Sequence, residues 1–316
     1  MDEMGEFSIS YPLSTPILFI TFKRPDTTIK VFEEIRKVKP KKLYLAQNYP
    51  SGKNFEDTEK WKKVRLIIEN VDWDCEVKRL YRDHYFEVKI SVSSAIDWFF
   101  SHVEEGIILE DDCVPDQSFF PFCQELLERY RNDTRIMMIS GDNFQFGKRR
   151  TDCSYYFSRY AHIWGWATWK RAWNHYDVSM KMWPKIHDGG WLNAILDSSD
   201  AVKYWTGCFE DTYTGKINTW DYQWVFTCWI QGGLSLMPEQ NLITNIGFDP
   251  SSTHTAANSI FSKLPFESIK FPLQHPGFVI RNIEADRFTE KIWYSHARSL
   301  KSRLWSALTM LKNKLA

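Results

Sequence analysis

The sequence lacks an excess of charge of either sign. Its 316 residues include 40 Lys and Arg and 40 Asp and Glu, so the formal net charge is zero. Because nucleic-acid-binding domains usually carry a basic surface, this balance argues against nucleic acid as a partner. An anionic ligand would have to be held by a local site.

The sequence also lacks paired cysteines, a leader segment and long apolar runs. Its six cysteines are scattered and none forms a C-x-x-C pair, so a zinc site of the usual spacing is excluded and reduced core thiols are expected. The first eleven residues are polar and acidic, without the basic stretch that begins a signal peptide. No apolar run approaches a membrane span, and we therefore expect a cytoplasmic protein.

The first 140 residues alternate between apolar strand segments and helical segments. The predicted strands are residues 16–22, 42–46, 75–80, 106–109 and 136–140, and the predicted helices are residues 28–38, 57–70, 86–102 and 119–130. This order predicts an α/β fold with a mainly parallel sheet covered by helices, which binds ligands at the carboxyl ends of its strands. We expect one catalytic domain over residues 1–275, with halves 12–142 and 143–275, and an extension over residues 276–316.

The C-terminal segment 291–316 has a different composition from the rest. It contains six Lys and Arg and no Asp or Glu, and its leucines at 300, 304, 308, 311 and 315 form one helical stripe. This pattern predicts a basic amphipathic helix. It could lie on an anionic membrane surface, which would make the protein peripheral at the inner face of the membrane, or it could pack on the main domain.

The acidic tripeptide Glu110-Asp111-Asp112 follows the predicted strand 106–109. Consecutive carboxylates at a strand end are costly unless a cation neutralises them. Mg²⁺ or Mn²⁺ prefers such oxygen ligands and keeps positions open for phosphate oxygens. The tripeptide therefore suggests a metal site for a diphosphate, although a solvated acidic loop is the simpler alternative.

A second candidate carboxylate, Asp221, stands between aromatic residues in Thr219-Trp220-Asp221-Tyr222. Partial desolvation would raise its pKa, which suits a general base that removes a proton from a sugar hydroxyl. The structural alternative is that Asp221 caps the helix formed by the apolar run 224–230. The two roles are compatible.

Aromatic residues are abundant, with fifteen tryptophans in the chain. Three of them surround Gly165 in Trp164-Gly165-Trp166-Ala167-Thr168-Trp169. Such a block could stack sugar rings, or it could be a tightly packed turn of the core. His254 could complete a metal shell, although a lone histidine is more often structural.

Together these motifs resemble the nucleotide-diphospho-sugar transferase superfamily with the GT-A fold. The resemblance is nearest to bacterial glycosyltransferases described as hemolytic-protein-like, and more distant to the N-acetylglucosaminyltransferase I type, which has a Glu-Asp-Asp form of the Asp-x-Asp motif. It covers about residues 16–255 and depends on the segments 21–25, 108–112, 164–169 and 220–224. It implies a Rossmann-like, mixed sheet and an inverting, metal-dependent hexosyltransferase. The donor would be a nucleotide-diphosphate sugar, and the acceptor a glycan or lipid-linked glycan in bacterial surface polysaccharide synthesis.

The resemblance also implies roles for individual residues. Asp112 and His254 would bind Mn²⁺ or Mg²⁺, and Asp221 would be the catalytic base. The nucleotide-sugar contacts would be Thr21, Lys23, Arg24, Arg79, Asp83, Lys89, Glu110 and Asp111, and the acceptor wall would be Trp164, Gly165, Trp166 and Trp220. Because the tripeptide begins with Glu, it leaves open which carboxylates contact the metal.

Two alternative functions share many of these features. A sugar-nucleotide nucleotidyltransferase would have a similar core and metal, but it usually carries a Gly-rich basic loop after its first strand, and residues 21–27 contain no glycine. A non-catalytic sugar-binding, membrane-associated module would account for the tryptophans and the basic tail, but it would not need both Asp112 and Asp221.

Overall fold

A computed structural model of the chain describes residues 12–52, 54–248 and 260–297. The strands are β1 Ile17–Thr21, β2 Lys42–Gln47, β3 Glu76–Tyr81, β4 Glu105–Glu110, β5 Cys113–Pro115, β6 Ile136–Ser140, β7 Tyr155–Ser158, β8 Trp166–Trp169, β9 Leu234–Pro238 and β10 Ile243–Asn245. The helices are α1 Pro25–Val38, α2 Phe55–Glu69, α3 Val88–Phe100, α4 Phe119–Arg129, α5 Lys170–Trp173, α6 Trp183–Asp188, α7 Leu192–Ile195, α8 Ser199–Tyr213, α9 Asp221–Ile230 and α10 Ile283–Ala297. His254 and the leucine stripe from residue 300 onward lie outside the described residues.

Eight strands form one mixed sheet in the order β3-β2-β1-β4-β8-β6-β9-β7. The pairs β1/β2, β2/β3 and β1/β4 are parallel, so the carboxyl ends of the first four strands meet at one edge. The predicted α/β fold and the alternation of the first 140 residues are confirmed. The alternation follows from burial on both faces: Ile17 and Phe19 of β1 join one core cluster, whereas Leu18 and Ile20 join the other.

The second half of the chain adds strands to the same sheet. β8 lies between β4 and β6 and is antiparallel to both, and β9 and β7 complete the far edge. Strands β7 and β8 have four residues each and are buried throughout, so they lack the alternation by which a strand is recognised in a sequence. A separate antiparallel pair, β5 and β10, stands beside the end of β4.

Most of the tryptophans belong to the core. Eight of the fifteen are at most 4% exposed: Trp166, Trp169, Trp173, Trp183, Trp205, Trp220, Trp224 and Trp229. Their rings pack on one another, as in the pair Trp205 and Trp229, whose centroids are 4.8 Å apart. The abundance of tryptophan therefore reflects mainly an aromatic core between the sheet and helices α6, α8 and α9.

Helix α10 is attached to the sheet through a buried carboxylate. Asp286 accepts hydrogen bonds from Ser158 Oγ at 2.6 Å and Arg159 Nε at 3.3 Å, and Arg281 Nη1 lies 3.2 Å away. Burial raises the pKa of Asp286 to about 6, and the hydrogen bond from Ser158 and the charge of Arg159 oppose this rise. Among the residues that the structure describes, no helix combines the length and the apolar character needed to cross a bilayer.

Candidate functional site

The acidic tripeptide lies at the carboxyl edge of the sheet, where β4 ends at Glu110. The turn after β1 folds against it: Phe22 N donates to Asp111 Oδ2 at 3.0 Å, and Arg24 Nη1 lies 2.9 Å from Asp112 Oδ2. The contact is direct because β1 and β4 are parallel neighbours, with Ile20 opposite Glu110. The predicted site residues Arg24, Asp111 and Asp112 are therefore brought together.

The tripeptide carries more negative charge than its surroundings neutralise. Burial raises the pKa of Glu110 to about 8, and the charges of Asp112, Asp111 and Asp221 raise it further, with partial compensation from Arg24. The pKa of Asp111 is also raised, first by burial and then by Asp112. A site that penalises its own carboxylates in this way favours an added cation.

Asp221 approaches this edge from the other half of the chain. Its charge acts on Glu110, so the two carboxylates share one electrostatic environment although they are 111 positions apart in the sequence. Asp221 is the first residue of α9, and Trp220 occupies the N-cap position. The expectation that Asp221 is the N-cap is therefore wrong. Thr219 Oγ1 instead donates a hydrogen bond to Asp221 Oδ1 and fixes its orientation.

The turn that carries Asp221 is held from several directions. Asn218 Oδ1 accepts a hydrogen bond from Lys89 N at 3.1 Å, and Gln223 Nε2 donates to Thr219 O at 2.7 Å. Tyr176 Oη donates to Trp220 O at 3.1 Å. The recorded contact of Lys89 with this turn is thus made by its backbone. Lys89 lies in the first turn of α3, and its amide helps to position the turn.

The strand pair β5/β10 closes the site on the side away from Arg24. Ile246 N donates to Asp112 O at 2.8 Å, and Gly247 N donates to Asn245 Oδ1 at 2.8 Å. A Cβ atom on Gly247 would lie 2.2 Å from Asp112 Oδ2, so a glycine is needed for this approach. Gly247 and Thr219 were missed as site residues. Thr219 carried a signal, since a Thr two positions before an acidic helix start often binds it.

The predicted nucleotide contacts divide into two groups. Thr21 is buried at the end of β1, where its Oγ1 donates to Ala46 O at 3.1 Å, and Lys23 Nζ pairs with Asp57 Oδ2 at 2.5 Å. Both lie near the turn that reaches Asp112. Arg79 instead binds Glu69 at 2.8 Å on the exposed side of β3, and Asp83 is almost fully solvent-exposed beside His84.

The position of Arg79 corrects its predicted role. β3 is three strands from β4, which is about 14 Å at the usual spacing of about 4.8 Å. Arg79 is also already neutralised by Glu69, which lowers the pKa of that carboxyl through a hydrogen bond. Position in the sequence could not reveal this, because the distance depends on strand order.

The predicted acceptor wall also divides. Trp166 and Trp220 are 1% and 3% exposed and stack on each other in the core with centroids 5.7 Å apart, so their assignment to a wall is corrected to the alternative of core packing. Trp164 is half-buried. Gly165 has φ +61°, and a Cβ there would lie 2.5 Å from Ile243 Cδ1, so packing requires the glycine.

Asp142 organises the turn that carries Trp164. Trp164 N donates to Asp142 Oδ1 at 3.2 Å, and Ser140 Oγ donates to the same oxygen at 2.9 Å. Burial raises the pKa of Asp142 to about 8 and lowers the pKa of the neighbouring His162 to about 3. Although His162 Nδ1 lies 3.6 Å from Asp142 Oδ2, these directions make the contact one between two neutral groups at pH 7.

The residues present are compatible with a bound divalent cation. In the described ranges, no group of three or more His, Cys, Asp or Glu side chains has the geometry to hold a metal alone. Mg²⁺ and Mn²⁺ in nucleotide sites need only one or two carboxylates, because substrate phosphates supply the remaining ligands. Asp112 fits this requirement, since the surrounding carboxylates leave unneutralised charge. His254, the other predicted ligand, falls outside the described residues.

The fold and the site define a Rossmann-like α/β protein with an acidic ligand site at the carboxyl edge of its sheet. No family model matches the chain. No curated protein matches it either.

Solved structures with a similar arrangement include a cytidylyltransferase from Leptospira borgpetersenii, with 12% identity over 51% of this chain and 63% of that chain and a TM-score of 0.32. HddC from Yersinia pseudotuberculosis has 8% identity over 50% and 77% of the two chains, with a TM-score of 0.32. A UDP-glucose pyrophosphorylase complexed with UDP-glucose has 11% identity over 46% and 62%, with a TM-score of 0.27. The chain thus spans less than two thirds of the cytidylyltransferase. Similarity at this level does not identify a function.

Proposed function

We propose that the protein is a glycosyltransferase that moves a sugar from a nucleotide-diphosphate donor to a hydroxyl group of a glycan or lipid-linked glycan acceptor. The observation that carries this proposal is the convergence of Glu110, Asp112, Arg24 and Asp221 at one strand end. A guanidinium and a cation-seeking carboxylate suit a diphosphate. A separate carboxylate, held by Thr219, suits a proton acceptor.

Each residue has a defined part in a single displacement. Arg24 contributes positive charge to the diphosphate, and Asp112 would hold Mn²⁺ or Mg²⁺, which when bound stabilises the charge on the leaving diphosphate. Asp221 accepts the proton of the acceptor hydroxyl while that oxygen forms a bond to the anomeric carbon. The bond from the anomeric carbon to the diphosphate oxygen breaks, and the configuration at the anomeric carbon inverts.

The second candidate is nucleotidyl transfer, which is the activity named in the structural neighbours above. This reaction joins a nucleoside triphosphate to a sugar phosphate and releases pyrophosphate. It needs a phosphate-binding loop, which is usually Gly-rich. In this chain residues 22–24 join β1 to α1 without a glycine, and Arg24 is already paired with Asp112. The short connection favours glycosyl transfer.

A product assay separates the candidates. The protein is incubated with Mn²⁺ and UDP-, GDP-, dTDP- or CMP-sugars plus a panel of methyl glycosides, and separately with nucleoside triphosphates plus sugar 1-phosphates. We expect a disaccharide product in the first set and no pyrophosphate in the second. Pyrophosphate release would instead support the nucleotidyltransferase, and nucleotide binding without either product would support a non-catalytic module.

The variant Asp221→Asn tests the assigned base within this assay. We expect donor affinity to be unchanged and the transfer rate to fall by about 10²- to 10⁴-fold, because the amide cannot accept the proton. Asp211→Asn on α8 is a matched control, since that carboxylate pairs with Lys216 at the surface. Full transfer activity in Asp221→Asn would remove it as the base.

A membrane association and a role in polysaccharide synthesis belong to the same proposal. They depend on the basic segment 291–316, most of which lies outside the described residues. Vesicles containing anionic lipid should bind the full chain more strongly than a chain ending at residue 297. Equal binding of the two would contradict a membrane role for the segment.

A further inference from the structure

Two half-buried aromatic rings flank the acidic tripeptide on the side opposite Arg24. Trp164 precedes Gly165, at which an added Cβ would lie 3.2 Å from Leu109 Cδ2, directly before Glu110. Phe248 follows Gly247, whose own Cβ would contact Asp112 Oδ2. The two rings are thus each within a residue or two of positions that touch the end of β4.

The two rings form one corner. Their centroids are 5.6 Å apart and their planes are inclined by 81°. The edge of Phe144 supports Trp164 at 5.0 Å, and the hydrogen bond from Trp164 N to Asp142 fixes the turn beneath it. Trp164 and Phe248 both remain half-buried. The corner is therefore rigidly supported while part of its surface is accessible.

The sheet order separates this corner from the nucleotide side. Arg24 follows β1, which borders β4 on one side, whereas Trp164 precedes β8, which borders β4 on the other. The pairing of Ile108 with Trp166 places the start of β8 at the carboxyl end of β4. A donor whose diphosphate lies by Arg24 and Asp112 leaves the β8 side of the tripeptide for a second substrate.

We propose that Trp164 and Phe248 form a platform for a pyranose ring of the acceptor, so that the acceptor is recognised by a sugar rather than by a lipid chain. This inference rests on the proposed glycosyltransferase function. A pyranose has an apolar C–H face and a rim of hydroxyl groups. The corner offers aromatic faces bordered by Glu110 and Asp112, which matches both parts, whereas a lipid chain would gain nothing from the carboxylates.

Saturation-transfer difference NMR tests the platform without requiring turnover. The probes are methyl glycosides of glucose, galactose, mannose and N-acetylglucosamine, added to the full chain with UDP and Mn²⁺. We expect at least one glycoside to show its strongest signals on ring protons of one C–H face. Affinity should fall about tenfold in Trp164→Ala and in Phe248→Ala and be largely kept in Trp164→Phe.

Trp191→Ala is the matched control, because Trp191 is 56% exposed and lies beside α7. Its glycoside signals should equal those of the wild type. Phe248→Leu, which keeps apolar volume but removes the ring, covers the case in which Trp164→Ala does not fold. The melting temperature of each variant used must match that of the wild type.

The possible outcomes separate the platform from the donor site. Unchanged glycoside affinity in both Trp164→Ala and Phe248→Leu, or no glycoside signal at all, would overturn the platform. Binding of a short prenyl phosphate that is lost in the same variants, without glycoside binding, would assign the corner to a lipid and also overturn it. Glycoside binding that depends on Trp164 without stabilisation by UDP, GDP, dTDP or CMP would support the platform while contradicting the proposed donor.

Discussion

Arg24 and Asp112 form an ion pair of 2.9 Å between the turn after β1 and the turn after β4. Their side chains are about one-quarter exposed, so solvent screens the pair and it contributes little to stability. Its consequence is positional. A cation and an anion that both suit a metal diphosphate are held at the same strand edge before any ligand binds, which reduces the ordering needed on binding.

The first prediction concerns Asp112→Asn. This variant keeps the size of the side chain but removes the negative charge that the metal would need. We expect Mn²⁺ to lose its effect on nucleotide binding, measured as the thermal shift given by UDP, GDP, dTDP and CMP with and without Mn²⁺. Asp83→Asn is the control, because Asp83 is almost fully exposed beside His84. Identical metal dependence in Asp112→Asn and wild type would refute the assignment.

The second prediction concerns Thr219, which we regard as a positioning residue for Asp221. Thr219→Val removes the hydroxyl that donates to Asp221 Oδ1 and keeps the side-chain shape. We expect kcat to fall by about tenfold with the donor KM unchanged, because a misoriented base affects the transfer step rather than binding. Thr219→Ser should restore most of the rate. A parallel loss in Thr219→Ser and Thr219→Val would indicate a packing role instead.

The third prediction compares two glycines. In Gly247→Ala the new methyl group would lie 2.2 Å from Asp112 Oδ2, and the flexible carboxylate must move. We expect Mn²⁺ affinity to fall by about 10- to 100-fold, as for other changes that displace a ligand. Gly207→Ala in α8 meets nothing within 4 Å. It should leave metal affinity unchanged and stabilise the fold by about 0.5–1 kcal/mol.

Both variants are read by calorimetric Mn²⁺ titration and by denaturant unfolding. If Gly247→Ala binds Mn²⁺ as tightly as Gly207→Ala does, the proximity of Gly247 to Asp112 has no bearing on the metal.

The fourth prediction concerns pH and the buried Asp142. Its folded-state pKa, about 8, exceeds the ordinary value of 3.8, so the folded state retains a proton that the unfolded state has lost. Stability must then fall as the pH rises through this range, by at most about 1.4 kcal/mol per pH unit. His162, with a pKa lowered to about 3, acts oppositely below its ordinary value of 6.5. The effect of Asp142 therefore dominates between pH 6.5 and 8.

Asp142→Asn removes this dependence. Denaturant unfolding of the variant and the wild type at several pH values should give a stability difference that moves in favour of Asp142→Asn from pH 6.5 to pH 8. Asp116→Asn is a control, since that residue binds Ser118 near the surface. Parallel stability curves would show that Asp142 ionises normally in the folded state.

The sequence by itself determined the α/β class and the edge at which ligands bind. Local patterns were sufficient, because the apolar segments of the first 140 residues and their separating helices are each specified by neighbouring residues. It also identified Asp112 and Asp221, since carboxylates at a strand end and at a helix start stand out locally. The proximity of Arg24 to Asp112 followed from two consecutive parallel-strand ends.

Only the tertiary structure decided which candidates share a site. Arg79 follows the pattern of a strand-end cation, but the strand order places β3 away from β4 and Glu69 neutralises it. Trp164 and Trp166 are equivalent in the sequence, yet opposite directions of their side chains leave one half-exposed and bury the other. The approach of Gly247 to Asp112 depends on β5 pairing with β10, a contact between residues about 130 positions apart that no local pattern specifies.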